Sequence, residues 1–278
     1  MERAPHPLLG SLVRSIWLSA PGAARGPAAA THERMMPTGE MHLVFRLDGP
    51  AVRIAPDLAS PATEDLGHAL VNGARAGAYC KEVSEKSVSI GVQLRPGAAR
   101  ALLGVPADEL AGRHLRLEDL WGADAALMRE QLMAEGSAAD KLHRLETLLL
   151  QRLRARPAQA LHAAVAAALP PLRAGRSVND LVRQSGYSHR QFIRLFSQAV
   201  GLPPRLYARV LRFQNALQLM QGQGLHRPLL ADVALHAGYS DQPHFNRDFR
   251  EFSGLTPEQY RAARPVTPNH VPVALPGR

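Results

Sequence analysis

The pattern of apolar and polar positions divides the chain into a strand-rich first half and a helical second half. Short apolar runs at residues 12–18, 42–47, 69–71 and 88–94 predict strands, with glycine- and proline-containing turns at 37–39, 48–50 and 95–97. This pattern is typical of a small β-sandwich or open barrel. The predicted fold class is therefore α+β, with helices completing the first domain and an all-helical second domain.

Helical spacing begins at residue 98 and continues through 98–103, 123–134 and 140–154. The last of these carries a stripe formed by Leu142, Leu145, Leu149 and Leu153. Two interpretations of the stripe stay open: it packs onto its own domain, or it forms the seam of a homodimer.

A domain boundary is predicted after Arg156, because Pro157 disfavours helical geometry in the residue before it. The first domain then covers 1–156 and the second 157–264, starting with an alanine-rich helix at 158–169 that Pro170 and Pro171 close. Segments 20–30 and 265–278 are rich in Pro, Gly and Ala, which predicts a loop and a disordered tail.

An internal repeat occupies the second half. Gly186-Tyr187-Ser188 recurs 52 residues later as Gly238-Tyr239-Ser240, and a following series of matches, including Phe192 with Phe245 and Phe196 with Phe249, recurs at an offset of 53. Ordered matches of this kind indicate a duplicated structural unit.

Each copy is typical of a helix-turn-helix. Short helices at 178–184 and 230–236 end before a glycine that suits a tight turn. Ser188 and Ser240 are the predicted N-cap residues of the second helices, in which phenylalanines four positions apart face the core.

The opposite faces of these second helices carry the candidate DNA contacts. Arg, Asn, Gln and His can reach base edges in the major groove, and the alternatives are phosphate contact or a solvated face. Asp241 is the weakest candidate because it repels phosphate. The predicted contacts are His189, Arg190, Gln191 and Arg194 in the first copy, and Gln242, His244, Asn246 and Arg247 in the second.

A continuous helix at 204–220 is predicted between the copies, with Leu206, Val210, Phe213, Leu217 and Met220 along one side. A rigid linker would hold the two second helices at a set separation. Successive major-groove segments lie about 34 Å apart, so one chain could read two of them without a symmetric partner.

Charge separates the halves in the same way. Residues 1–155 hold 18 basic and 18 acidic side chains, whereas residues 156–278 hold 15 and 6, which accounts for the whole net charge of +9. Every basic residue of the second half is arginine, whose planar fork suits phosphate oxygens and guanine edges. The second half is therefore expected to bind a polyanion.

The motifs of the second half resemble the AraC/XylS family of transcription regulators over residues 158–264. The resemblance is most specific in the string from Gly238 to Phe249, followed by Gly254-Leu255-Thr256-Pro257. It implies two helix-turn-helix units that bind double-stranded promoter DNA, contact with RNA polymerase, and transcription activation in most members. Ile193 departs from the polar residues common at that position, so the first helix is expected to read fewer bases.

The first half resembles, more weakly, the cupin-like effector or oligomerisation domains attached to such regulators, through Pro37-Thr38-Gly39-Glu40 and the segment 94–98. A small-molecule effector and a homodimer are the partners that this implies, and no cofactor is expected. The absence of a long apolar run or a signal-like start predicts a cytoplasmic protein without a membrane segment.

Three other functions are alternatives to a non-enzymatic regulator. A cupin-type metalloenzyme would need His32, Glu40, His42 and His68 to assemble, yet no tight His-x-His pair occurs in the strand region. A DNA-repair alkyl acceptor needs several thiolates, and Cys80 stands alone, which favours a small partly buried residue. A general nucleic-acid-packaging protein would explain the charge but not the repeat.

Overall fold

The computed structural model describes residues 1–20, 32–55, 63–84, 87–155, 160–221 and 228–273. Two antiparallel sheets face each other, built from strands of the first half and one strand at residues 270–273. The first sheet contains β1 (Glu2–Arg3), β2 (Val13–Ser19), β4 (Met41–Asp48), β7 (Ala69–Asn72), β9 (Val88–Leu94) and β10 (His114–Arg116), in the order β1-β2-β9-β4-β7-β10. The second contains β3 (His32–Met35), β5 (Arg53–Ala55), β6 (Glu64–Asp65), β8 (Tyr79–Glu82) and β11 (His270–Val273), in the order β11-β3-β8-β5-β6.

The alternation along β4 explains why one face of the first sheet is covered. Leu43 pairs with Val71 on one neighbouring strand and Val92 on the other, and all three are buried in a single row. The intervening residues His42 and Val44 point to the opposite face, toward the second sheet. The four strands predicted from sequence are confirmed, each to within about one or two residues.

Helices cover the buried face of the first sheet. A π-helical turn spans Ala99–Leu103, and 3₁₀ turns span Pro7–Leu9 and Ala107–Leu110; α1 (Glu118–Trp121), α2 (Ala123–Ala134) and α3 (Ala138–Arg154) follow. Leu142, Leu145 and Leu149 of α3 are buried in the core of their own chain. The leucine stripe therefore packs intramolecularly and does not form an exposed seam.

The second half is helical, as predicted. Its elements are α4 (Ala163–Arg173), α5 (Val178–Ser185), α6 (His189–Val200), α7 (Pro204–Met220), α8 (Leu230–Ala237), α9 (Gln242–Ser253) and α10 (Pro257–Ala263). None of the helices within the described ranges has the length and apolarity that crossing a bilayer requires.

The prediction that Pro170 and Pro171 close a helix was wrong. The helix α4 begins at Ala163, after the N-cap His162, and continues through both prolines to Arg173. Proline has a helical φ, and burial of Leu172 in the core holds this last turn in place. The predicted boundary at Arg156 and Pro157 and nearly all of the predicted loop at 20–30 lie outside the described residues.

The prediction of a disordered tail at 265–278 was wrong for β11. His270 pairs with Met35 and Val273 with His32, so this strand extends the second sheet beyond β3. Val271 is buried in the main core. An exposed strand edge gains stability from such a partner because its backbone groups become paired.

The two halves share one continuous core. The backbone amide of Gly97 donates to the carbonyl of Ala199 at 2.8 Å, and that of Ala78 donates to Phe252 at 2.8 Å. Gly201, at φ +93°, lies so close to Ala74 that an added Cβ would come within 2.9 Å of it. The sandwich is therefore packed directly against both helix-turn-helix units.

Candidate nucleic-acid interface

The first helix-turn-helix unit consists of α5, a tight turn and α6. Gly186 adopts φ +72°, the left-handed geometry predicted for the turn. Ser188 is the N-cap of α6: its hydroxyl accepts from the backbone amide of Gln191, and the Gln191 side chain accepts from the amide of Ser188 at 3.3 Å. This capping box pairs amides that a helix start leaves unsatisfied.

Aromatic packing sets the outward face of α6. Phe192 and Phe196 are fully buried, with ring centroids 6.0 Å apart, and Phe196 packs against Tyr207 of α7 at 5.7 Å. Between them Arg194 is exposed, whereas Leu195 packs against the core. All four predicted contacts of this unit are exposed, namely His189, Arg190, Gln191 and Arg194.

The second unit, formed by α8 and α9, differs at its helix start. Gly238 makes the turn at φ +91°, but Asp241, not Ser240, is the N-cap of α9, so that part of the prediction was wrong. The Asp241 carboxylate accepts from the amide of His244 at 2.7 Å and from the Ser240 hydroxyl at 3.1 Å. These two hydrogen bonds, with that of His244 the stronger cause, lower the pKa of Asp241.

The predicted contacts of α9 fall into two groups. Asn246 and Arg247 are exposed, whereas Gln242 and His244 are half-buried. His244 contacts the Ser240 hydroxyl at 3.1 Å and packs edge-on against Tyr239, with ring centroids 5.2 Å apart. These two contacts hold its imidazole against the fold. We call α6 and α9 the reading helices.

Charge on the reading helices is available for a polyanion. Arg190, Arg194 and Arg247 form no ion pair with any described residue. By contrast, Arg183 on α5 is paired with Asp180. Guanidinium groups without a counter-charge on one exposed face are suited to phosphate oxygens and base edges.

One ion-pair network at this interface was missed by sequence reasoning. Arg209 of α7 donates to the buried Asp248 at 2.8 Å and to Glu251 at 2.5 Å, and its guanidinium lies 4.9 Å from the ring centroid of Phe252. The hydrogen bonds to Asp248 and then Glu251 raise the pKa of Arg209. Asp248 lies three positions after the core-facing Phe245, and residues three apart share one face of a helix. This spacing was the signal that could have revealed a buried acidic residue in need of a partner.

The linker helix α7 supports both units, at the predicted bounds. Tyr207 packs on the aromatic core of the first unit, and Phe213 packs on Phe249 and Phe252 of the second at 5.2 and 5.6 Å. Tyr207 and Phe213 are six residues apart on one helix, a rise of about 9 Å. The two reading helices are therefore attached to one rigid element.

Comparison with known proteins identifies the helical half. Residues 181–263 match a family described as a helix-turn-helix domain. The F1 operon positive regulatory protein of Yersinia pestis is 34% identical over 85 residues, and the HTH-type transcriptional activator AarP of Providencia stuartii is 31% identical over 85. The helical half is an AraC-type helix-turn-helix domain.

The match is confined to the AraC-type domain. It covers 31% of this chain, 27% of the Yersinia pestis protein and 61% of AarP, so the chain spans only part of these relatives. Residues 1–116 match a family described as a domain of unknown function, DUF6597. The crystal structure of ToxT from Vibrio cholerae aligns with 89% of this chain and 95% of its own, at 8% identity and a TM-score of 0.44, too distant to support a functional assignment.

The side chains that a cupin-type metalloenzyme would need to assemble include Glu40 and His42, which both line the cavity between the sheets. Glu40 pairs with Arg14 and, across the junction of the two halves, with Arg173 of α4 at 3.3 Å. His42 faces the interior between the sheets, where burial lowers its pKa to about 4. In the part of the chain that the structure describes, no three His, Cys, Asp or Glu side chains group as metal ligands would.

Proposed function

We propose that this protein is a sequence-specific regulator of transcription that binds double-stranded DNA through the two reading helices of its AraC-type domain. The observation that carries the proposal is the pair of capped helices on one linker, each with exposed arginine. Arg190, Arg194, Asn246 and Arg247 are the principal contacts in this proposal. His189, Gln191, Gln242 and His244 complete the predicted set.

The mechanism divides the contacts by chemistry. Guanidinium groups on the reading helices pair with phosphates, which supplies affinity, and side chains that reach base edges supply specificity. Gln191 takes part in the cap of α6, so its amide nitrogen rather than its oxygen is directed to a base. Because α7 carries both units, a single chain covers two neighbouring groove segments.

The proposal extends to activation and to effector response. Relatives that match the AraC-type domain are named a positive regulatory protein and a transcriptional activator, which favours activation through contact with RNA polymerase. A partly open cavity of about 630 Å³ lies between the two sheets of the sandwich, a size that suits a small molecule. A regulator of this kind works with the DNA in the cytoplasm and performs no catalysis.

Selection of bound fragments from the source genome by the purified full chain tests this function, followed by titration of one selected fragment by fluorescence anisotropy. We expect tight binding to the selected fragment, at least about a thousandfold weaker binding to scrambled DNA, and a steep loss of affinity with salt. Equal affinity for selected and scrambled fragments would instead favour general packaging of nucleic acid. The full chain is required because its two halves share a core.

A further inference from the structure

The cavity between the two sheets has an apolar wall. Val44 and Leu70 from the first sheet, and Ile54 and Tyr79 from the second, line it. Tyr79, Ile54 and Leu70 also belong to a small buried cluster that is separate from the main core. A cavity of about 630 Å³ with such a wall accommodates the apolar body of a small organic molecule.

Arg75 places a positive charge on this wall. Its guanidinium lies 4.7 Å from the ring centroid of Tyr79 and forms a hydrogen bond with Nε2 of His114. Nε of Arg75 is buried and has no hydrogen-bond partner. Among the described residues no carboxylate forms an ion pair with Arg75, and burial lowers its pKa.

A neutral relay orients this arginine. Nδ1 of His114 lies 2.7 Å from Oδ1 of Asn72, an oxygen that can only accept, so Nδ1 carries the proton. Nε2 therefore accepts from Arg75. Burial, with a further contribution from Arg75, lowers the pKa of His114 to about 3, so its ring is neutral. The relay directs the guanidinium without compensating its charge.

Lys81, on the same strand as Tyr79, differs from Arg75 because it has a carboxylate partner. It also lines the cavity, but its ammonium lies 3.4 Å from Glu33, which in turn is bound by His270 at 3.2 Å. A half-buried guanidinium held only by neutral groups, with its Nε atom buried, is costly to maintain and gains most from an anion. Its planar fork matches a carboxylate.

We propose that this cavity binds a small organic acid, with its carboxylate on Arg75 and its apolar body against Tyr79, Ile54 and Leu70. The acid site itself is defined within the sandwich. Only its consequence, an effect of the bound acid on DNA binding, rests on the proposed regulatory function. Asn72 and His114 are positioning residues for Arg75.

Part of the cavity wall is formed by residues that follow the AraC-type domain, and this part connects a bound molecule to that domain. Thr267, Asn269 and His270, which follow the last helix of that domain, line the same cavity. The carbonyl of Asn269 accepts from the amide of Met36 at 3.0 Å, and β11 then pairs with β3. An occupant therefore contacts a segment that begins at the AraC-type domain and ends in the sandwich sheet.

Gln214 of the linker helix α7 completes the connection. Its Nε2 donates to Oδ1 of Asn269 and to the carbonyl of Pro37, each at 2.8 Å. Pro37 lies in the turn before β4 and also lines the cavity. Gln214 thus links the cavity wall to the helix that carries both reading helices. Binding of the acid and binding of DNA are coupled through Gln214.

Calorimetric titration of the full chain tests the site. The probes are phenylacetate and decanoate, each compared with its primary amide. We expect at least one acid to bind about tenfold or more tightly than its amide, and Arg75→Gln to remove that preference. Arg53→Gln, the same change at an exposed arginine of the sandwich, serves as the matched control.

Three results would overturn the site: no binding of either acid at millimolar concentration, equal binding of acid and amide, or unchanged acid binding by Arg75→Gln. Thermal unfolding without ligand separates a binding role from a structural one. Removal of a half-buried charge that lacks a counter-charge should leave the melting temperature unchanged or raised. A marked fall would identify Arg75 as a structural residue instead.

Coupling is measured by the DNA affinity of the full chain with and without the bound acid. We expect a change of about fivefold or more in one direction, and the same factor for acid affinity with and without DNA. Gln214→Ala should bring this factor close to one, whereas Gln218→Ala, an exposed glutamine of the same helix, should preserve it. Equal coupling in Gln214→Ala and the native chain would overturn the route through Gln214. If DNA binding fails while acid binding still depends on Arg75, the regulatory function is wrong and the acid site stands.

Discussion

Arg209 of the linker helix donates a hydrogen bond of 2.8 Å to the carboxylate of Asp248 on the second reading helix, and the Asp248 side chain is only 3% exposed. This pair fixes the orientation of α9 on α7. Because α7 also supports α6, the relative placement of the two reading helices depends on a buried charge.

Replacement Arg209→Met should therefore destabilise the chain. It leaves the Asp248 carboxylate buried without its partner, at a cost of about 2 kcal/mol, below that of a fully buried pair because Arg209 is 30% exposed. Urea unfolding measures the change. The control Arg183→Met breaks the exposed pair with Asp180 and should cost less than about 0.5 kcal/mol. Equal costs for both variants would remove the special role of Arg209.

The N-cap of α9 in the second unit is Asp241 and not the serine that follows the glycine turn, and substitution can test this assignment. Asp241→Ala should lower the melting temperature, because the amide of His244 loses its acceptor. Ser240→Ala should have a much smaller effect, since Ser240 lies outside the helix and does not cap it. Differential scanning calorimetry compares the two, and a larger loss for Ser240→Ala would contradict the assignment of the cap.

Gln191 combines a cap with a place on the DNA face. Gln191→Glu keeps an acceptor for the amide of Ser188, so stability should be maintained, yet it adds negative charge beside phosphate. We expect an unchanged melting temperature and DNA affinity lower by about tenfold, measured by anisotropy. Gln218→Glu is the control at an exposed position of α7. Unaltered DNA affinity in Gln191→Glu would move the interface away from the start of α6.

Alanine substitution separates base contacts from phosphate contacts. If Asn246 reads a base, Asn246→Ala should cost about 1 to 3 kcal/mol on the selected site and little on random DNA. If Arg194 or Arg247 binds phosphate, its replacement by alanine should lower the affinity for both DNAs equally. The slope of log affinity against log salt concentration should also become shallower by about one. Anisotropy titrations at several salt concentrations measure both quantities. Normal affinity in all three variants would exclude these faces from the interface.

Stability should fall on acidification because two histidines of the sandwich, His42 and His114, remain neutral in the folded state. Burial lowers the pKa of His42 to about 4 and that of His114 to about 3 from an ordinary value of 6.5. Between those values and 6.5 the unfolded chain binds protons that the folded chain does not. The free energy of unfolding is therefore at its full value with respect to these two groups above pH 6.5. Below pH 6.5 each group lowers it by about 1 kcal/mol per pH unit.

Urea unfolding at pH 7 and pH 5 measures this dependence. His42→Gln should reduce the difference in the free energy of unfolding between the two pH values, by about 1 to 2 kcal/mol. His143→Gln, at an exposed position of α3, should leave the difference as it is. The same pH dependence in both variants would show that His42 is accessible to protons in the folded chain.

Local features were the ones that sequence analysis could predict. The repeat, the glycine turns, the cap at Ser188 and the linker helix depend on residues within one or two helical turns, and each was found at its expected position. The leucine stripe was recognised, but its partner was left open because periodicity shows which face is apolar without showing what covers it. The strand β3, His-Glu-Arg-Met, has no apolar alternation and escaped prediction.

The amino-acid sequence by itself determined that this chain carries two capped helix-turn-helix units on a basic half, because short-range periodicity and turn chemistry encode them. Tertiary structure alone decided that β11 returns to pair with β3, that Asp248 is buried against Arg209, and that Asn72, His114 and Arg75 meet beside one cavity. Those contacts join residues distant along the chain. Their geometry arises from packing of the sandwich against the helical half, which no local pattern records.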